Sequence, residues 1–126
     1  MKGSDRMKVA ITAMGKEMTD KVDPRFGRAK YFVITDTESD ATEVHDNKQN
    51  LDAVQGAGVQ AGETVAGLGV NAVVTGHVGP KAFRTLAAGG IKIYLCGEMT
   101  VADAVQKLKA GELKESQSPD SESHWV

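Results

Sequence analysis

An alternation in the second half of the chain constrains the fold most. Two short apolar runs, Asn71–Thr75 (NAVVT) and Ile91–Cys96 (IKIYLC), are interleaved with stretches of helical spacing. Val59–Leu68 offers Val59, Val65, Ala66 and Leu68 to one helix face, and Lys81–Ala88 follows Pro80, whose fixed φ suits a first turn. Thr100 stands as an N-cap before VADAVQKLKAG, which stops at Gly111. Strands separated by helices pair in parallel through right-handed crossovers, and the helices cover the sheet. The first half lacks this pattern. Met7–Ala13, Lys30–Asp36 and Ala41–His45 are β-rich, and a turn at Glu38–Asp40 joins the last two into an antiparallel meander. The expected architecture is α/β, with a mixed five-stranded sheet in the order βββαβαβα.

The 126 residues suffice for one domain with its own core. We place that domain at residues 7–113, after a flexible extension over 1–6 and before a polar, disordered tail over 114–126. The single cysteine excludes an intrachain disulfide framework and a Cys-only metal site, and it suits a reducing, cytoplasmic compartment. No apolar run approaches the ~20 residues of a membrane helix. A net charge of −2 averages two acidic stretches, in residues 35–52 and 111–126, with a basic cluster of Lys16, Lys21, Arg25, Arg28 and Lys30. That cluster is no extended basic stripe, so neither nucleic acid nor membrane is an expected partner. It suits a small anion.

Glycines gather where helices begin. QGAGVQAGE places Gly56, Ala57 and Gly58 at the entrance of the first helix, one residue off a dinucleotide fingerprint and without the buried strand that should precede it. TGHVGPKAF places Gly76, His77 and Gly79 at the entrance of the second. Each loop fits either a tight turn packed on the sheet or an anion held by free helix N–H groups. The second loop follows NAVVT directly, at the carboxyl end of a strand, where open α/β sheets hold ligands, and two helix N-termini opening on that one edge would favour the anion. In DPRFGRAKYF, Arg25 and Arg28 bracket a Phe26–Gly27 turn, presenting two guanidinium groups beside an apolar ring. His77 and Cys96 are the candidates for direct metal ligation, with Met14, Met18 and Met99 as soft donors, although a buried cysteine is more often inert.

Enzyme signatures are absent: the chain has no GxSxG, P-loop, HExxH or CxxC string. The βββαβαβα order resembles that of ribonuclease H, whose nucleases hold magnesium with carboxylates. The first strand here, KVAITA, carries none.

MKVAITAMGKEMTDKVDPRFGRAKYFVITD, GAGVQAGETVAGLGVNAVVTGHVGPKAFRTLAAGGIKIYL and TVADAVQKLKAGEL together resemble the NifX/NifB C-terminal domain family of dinitrogenase iron–molybdenum cofactor biosynthesis proteins. The resemblance runs from about Met7 to Leu113, and RFGRA and TGxxGPxAF carry it most specifically. It implies a ribonuclease H-like three-layer fold and non-catalytic binding of an anionic metal–sulfide cluster, molybdenum with iron or copper. Cluster-assembly or ATPase proteins are the implied partners. The family includes the small orange proteins, which hold a molybdenum–copper sulfide cluster. Two departures bear on ligation: Arg28 stands where nitrogenase-linked members often have histidine, and Gln55 stands where several have the histidine of HGAG. Without those imidazoles, the implied cargo is already saturated by sulfide. Arg25 and Arg28 would then neutralise it, the amides near Gly56–Gly58 and Gly76–Gly79 would donate to it, and Phe26, Met14 and Met18 would shield it. The alternative from a different class is a regulatory or interaction module that binds a phosphorylated small molecule or a partner protein at the same edge.

Overall fold

The computed structural model describes residues 7–49, 52 and 56–119. Its elements run β1 (Lys8–Ala13), β2 (Tyr31–Asp36), β3 (Thr42–Asp46), α1 (Ala57–Gly67), β4 (Ala72–Thr75), α2 (Pro80–Ala88), β5 (Lys92–Leu95), α3 (Val101–Lys109) and β6 (Lys114–Glu115). The strands form one mixed sheet in the order β3-β2-β1-β4-β5-β6. The meander β1–β2–β3 is antiparallel, whereas β1, β4 and β5 run parallel, as the alternation predicts.

The sheet has six strands rather than the expected five. Lys114 pairs with Leu95 and Glu115 with Tyr94, and the Ser116 N–H donates to the Ile93 carbonyl at 2.7 Å. Two polar residues carry no period-two pattern. They become a strand because the edge of β5 offers backbone partners. The expected tail is therefore tied to the sheet at its start. The 1–6 extension and the tail beyond residue 119 lie outside the described residues.

Alternation along the strands sorts the core into two layers. Ala10, Phe32, Ile34, Val73 and Ile93 face α1 and α2, meeting Ala61 and Val65 of α1 and Ala82 and Leu86 of α2. Val9, Ile11, Val33, Ala72 and Val74 face the other way, onto Val101, Ala104 and Val105 of α3. β1 and β4 are buried on both faces, as strands covered by helices on both sides must be.

This topology brings the candidate loops together. Parallel β1, β4 and β5 all end at one edge of the sheet, and β2 starts there, with Ala13 opposite Tyr31. The loops after β1, β4 and β5 and the entrance of α2 therefore share that edge. The N-terminus of α1 joins them, because the turn before β2 packs against its first residues.

A cationic cleft between two helix entrances

The loop leading to β2 is built from its buried end outward. The Asp23 N–H donates to the Thr12 carbonyl at 2.9 Å. The buried Thr12 hydroxyl donates to the Asp23 carbonyl at 2.7 Å and lies 2.8 Å from the Thr75 hydroxyl. One residue thus fixes the loop to the ends of both β1 and β4. The Phe26 N–H then donates to the His77 carbonyl at 3.3 Å, which places the loop alongside the β4–α2 connection.

Two glycines permit this approach. A β-carbon on Gly76 would stand 2.7 Å from the Pro24 Cα, and one on Gly27 would stand 2.8 Å from the Gly58 Cα. Both obstacles are backbone, so neither can swing aside. The Phe26–Arg28 turn is consequently seated against the first residues of α1. The Phe26 ring, 2% exposed, packs into the α1–α2 side of the core, 6.0 Å from the Phe32 ring.

Between this turn and the entrances of α1 and α2 lies a cleft of about 510 Å³. Seven residues singled out from the sequence line it: Phe26, Arg28, Gly56, Ala57, Gly58, His77 and Gly79. The other four do not. Gly76 and Met14 line a neighbouring cleft of about 400 Å³ together with Cys96, and His77 forms part of both walls. Met18 packs against the α3 side of the core. Arg25 lines neither cleft and is engaged by Asp23: its backbone N–H donates to Oδ1 at 3.0 Å, its Nε to Oδ1 at 3.3 Å, and its Nη2 to Oδ2 at 3.4 Å. Asp23 is 2% exposed, so this fork compensates a carboxylate withdrawn from water.

The sequence reading missed two cations of the first cleft, Lys81 and Arg84. They lie three residues apart on one face of α2, a spacing visible in PKAFR once the helix start is known. Together with Arg28 they give the cleft three fixed positive charges, and among the described residues no aspartate or glutamate lines it. Arg28 has no ion-pair partner among the described residues.

The helix entrances reinforce this sign. Gly56 and Gly79 are the N-caps of α1 and α2, and neither has a side chain to accept a first-turn N–H. The first intrahelical bonds are Gln60 N–H to the Gly56 carbonyl at 3.1 Å and Phe83 N–H to the Gly79 carbonyl at 2.9 Å. Amides before those, on residues 57–59 and 81–82, have no intrahelical acceptor. α3 shows the ordinary arrangement: Thr100 accepts from the Asp103 N–H at 3.1 Å, Asp103 sits in the first turn, and Lys107 and Lys109 sit in the last. α2 reverses the first-turn arrangement: Lys81 stands where the helix dipole disfavours a cation, no acid accompanies it, and Arg84 follows one turn further on.

Among the described residues, no group of three or more His, Cys, Asp or Glu is placed to hold a metal ion. Burial pushes the Cys96 thiol above its ordinary range, which disfavours the thiolate a soft metal requires.

Residues 7–111 match the family model for the dinitrogenase iron-molybdenum cofactor. The chain belongs to this family. Its fold matches the apo form of the orange protein from Desulfovibrio gigas with a TM-score of 0.85 and 40% identity, over 90% of this chain and 96% of that one. A NifB-like protein of Thermotoga, from the DUF35 family, matches with a TM-score of 0.75 and 33% identity, over 91% and 99% of the two chains. The protein MJ0580 of Methanocaldococcus jannaschii is 25% identical over 97 residues, 75% of this chain and 82% of that protein. Membership in the dinitrogenase iron-molybdenum cofactor family points to a role in cofactor biosynthesis or carriage. No described helix is long and apolar enough to cross a membrane.

Proposed function

We propose that this chain is a non-catalytic carrier of an anionic metal–sulfide cluster, molybdenum with iron or copper, seated in the cleft between α1 and α2. The observation that carries the reading is the reversed charge pattern of α2: Lys81 in the first turn of an uncapped, acid-free helix, with Arg84 a turn further along the same cleft wall. Such an end is electrostatically unfavourable until an anion offsets it. Arg28 completes the charge, amides at the two entrances donate to sulfide, and Phe26, Ala57, Val59 and Ala82 supply apolar walls. Those walls favour a polarisable sulfide cluster over a strongly hydrated phosphate. Among the described residues no group of three or more His, Cys, Asp or Glu is placed to hold a metal ion, which fits cargo that arrives with its metals already saturated by sulfide. Exchange with cluster-assembly or ATPase proteins in a reducing, cytoplasmic compartment completes the proposal.

The test is expression with molybdate, iron and copper supplied, followed by visible absorption and metal analysis. A coloured protein with stoichiometric metal is expected. A colourless, metal-free protein that also fails to take up tetrathiomolybdate with a copper salt would overturn the reading. Saturable binding of phosphate compounds at the Gly76–Gly79 amides, without tetrathiomolybdate binding, would install the phosphorylated-ligand alternative in its place.

A further inference from the structure

Arg28 is exposed and unpaired among the described residues, yet the backbone that carries it is closely held. Against the turn stands Asn47, just past the end of β3 and 9% exposed. Its Nδ2 donates to the Ala29 carbonyl at 2.8 Å and to the Gly27 carbonyl at 3.2 Å, the two carbonyls that flank Arg28. Its backbone N–H donates to the Lys30 carbonyl at 3.0 Å. The Gln49 side chain closes the arrangement, donating to Asn47 Oδ1 at 3.1 Å and to the Gly27 carbonyl at 3.5 Å. One carboxamide thus spans the residue whose side chain faces the cleft.

We propose that Asn47 is a positioning residue for Arg28: it fixes the Gly27–Ala29 backbone so that the guanidinium is pre-aimed at the anion. The inference rests on the carrier reading above. Its physical basis is preorganisation. A long cationic side chain on a mobile turn loses backbone freedom on binding, whereas one on a fixed turn has already lost it. The carboxamide supplies two N–H donors on one nitrogen, one for each carbonyl, without adding charge. Asn47→Asp keeps the shape but turns an acceptor toward two acceptors, whereas Asn47→Ser removes the bridge without adding charge.

The experiment is a double-mutant cycle on tetrathiomolybdate binding with a copper salt, read by visible titration in wild type, Asn47→Ser, Arg28→Gln and the pair. Far-UV circular dichroism establishes that each variant is folded, and Asn47→Asp serves as a second variant. Asn47→Ser is expected to weaken binding about tenfold in the Arg28 protein, on the scale of one or two lost hydrogen bonds. In the Arg28→Gln background it is expected to have almost no effect, because no guanidinium remains to be aimed. Equal losses in both backgrounds would overturn the inference, since a merely structural asparagine acts alike with or without Arg28. Failure of the wild type to bind the probe would overturn the carrier reading and this inference together.

Discussion

A β-carbon on Gly27 would stand 2.7 Å from the amide nitrogen of Gly58, so the turn that carries Arg28 meets the entrance of α1 at backbone contact. Gly27→Ala must therefore push the turn from its seat. We expect a loss of about 1–3 kcal/mol in stability, typical of overpacking, together with weaker cargo uptake. Gly67→Ala is the control: it lies in α1 with open space around its Cα, and should gain about 0.5 kcal/mol. Thermal melts of the two variants check the contrast, and equal melting temperatures would remove the close approach as a constraint.

Stability and binding should move in opposite directions at the helix caps. Gly56 and Gly79 have extended backbone, and a β-carbon on either would meet nothing within 4 Å, so an aspartate fits both positions. Gly56→Asp or Gly79→Asp would cap its helix and gain about 0.5 kcal/mol. The same carboxylate occupies the amides meant for the anion, and tetrathiomolybdate uptake should fall at least about tenfold. Melting temperature and visible titration on one sample check both halves.

The arginines of the RFGR turn should separate. Arg28→Glu is expected to abolish uptake, because it reverses a charge that lines the cleft. Lys81→Gln and Arg84→Gln should each weaken it about fivefold, with a steeper salt dependence in the wild type than in either variant. Arg25→Gln should act mainly on stability, since it removes the charge partner of the buried Asp23 carboxylate and leaves it the backbone N–H of residue 25. Titrations at two ionic strengths, paired with thermal melts, distinguish the two kinds of loss.

Cys96 predicts a pH dependence. Burial raises its thiol above the ordinary value of 9.0, so the unfolded chain ionises first. Below that region the cysteine makes no pH-dependent change to stability; as pH rises through it and toward the folded value, stability declines. Cys96→Ser should remove that component of alkaline destabilisation. Alkylation rates provide the direct check: the folded protein should react more slowly than the denatured chain at each mildly alkaline pH.

Much of the fold was legible because two periods are written into the chain. NAVVT and IKIYLC announced the parallel strands β4 and β5, and Thr100 marked the start of α3. β6 was not legible, because Lys114 and Glu115 owe their strand to the neighbouring edge rather than to their own pattern. In the site, glycine placement foretold the two helix entrances. Charge was harder to read. Arg25 looked free in the string DPRFGR, but the chain turns it back onto Asp23. Lys81 and Arg84 stand apart from the basic run, and only the helix brings them to the cleft. Asn47 had no signal at all, since its partners lie 18 and 20 residues away.

The reversed charge pattern of α2 also bears on how an occupied carrier differs from an empty one. On the carrier reading, Lys81 meets the positive end of its own helix uncompensated until the anion arrives, so occupancy raises the unfolding temperature with ligand concentration. A protein approaching this edge then meets two surfaces: a neutralised helix end when the cargo is present and a more positive one when it is gone. The helix that grips the cluster would thereby advertise whether there is anything to hand over.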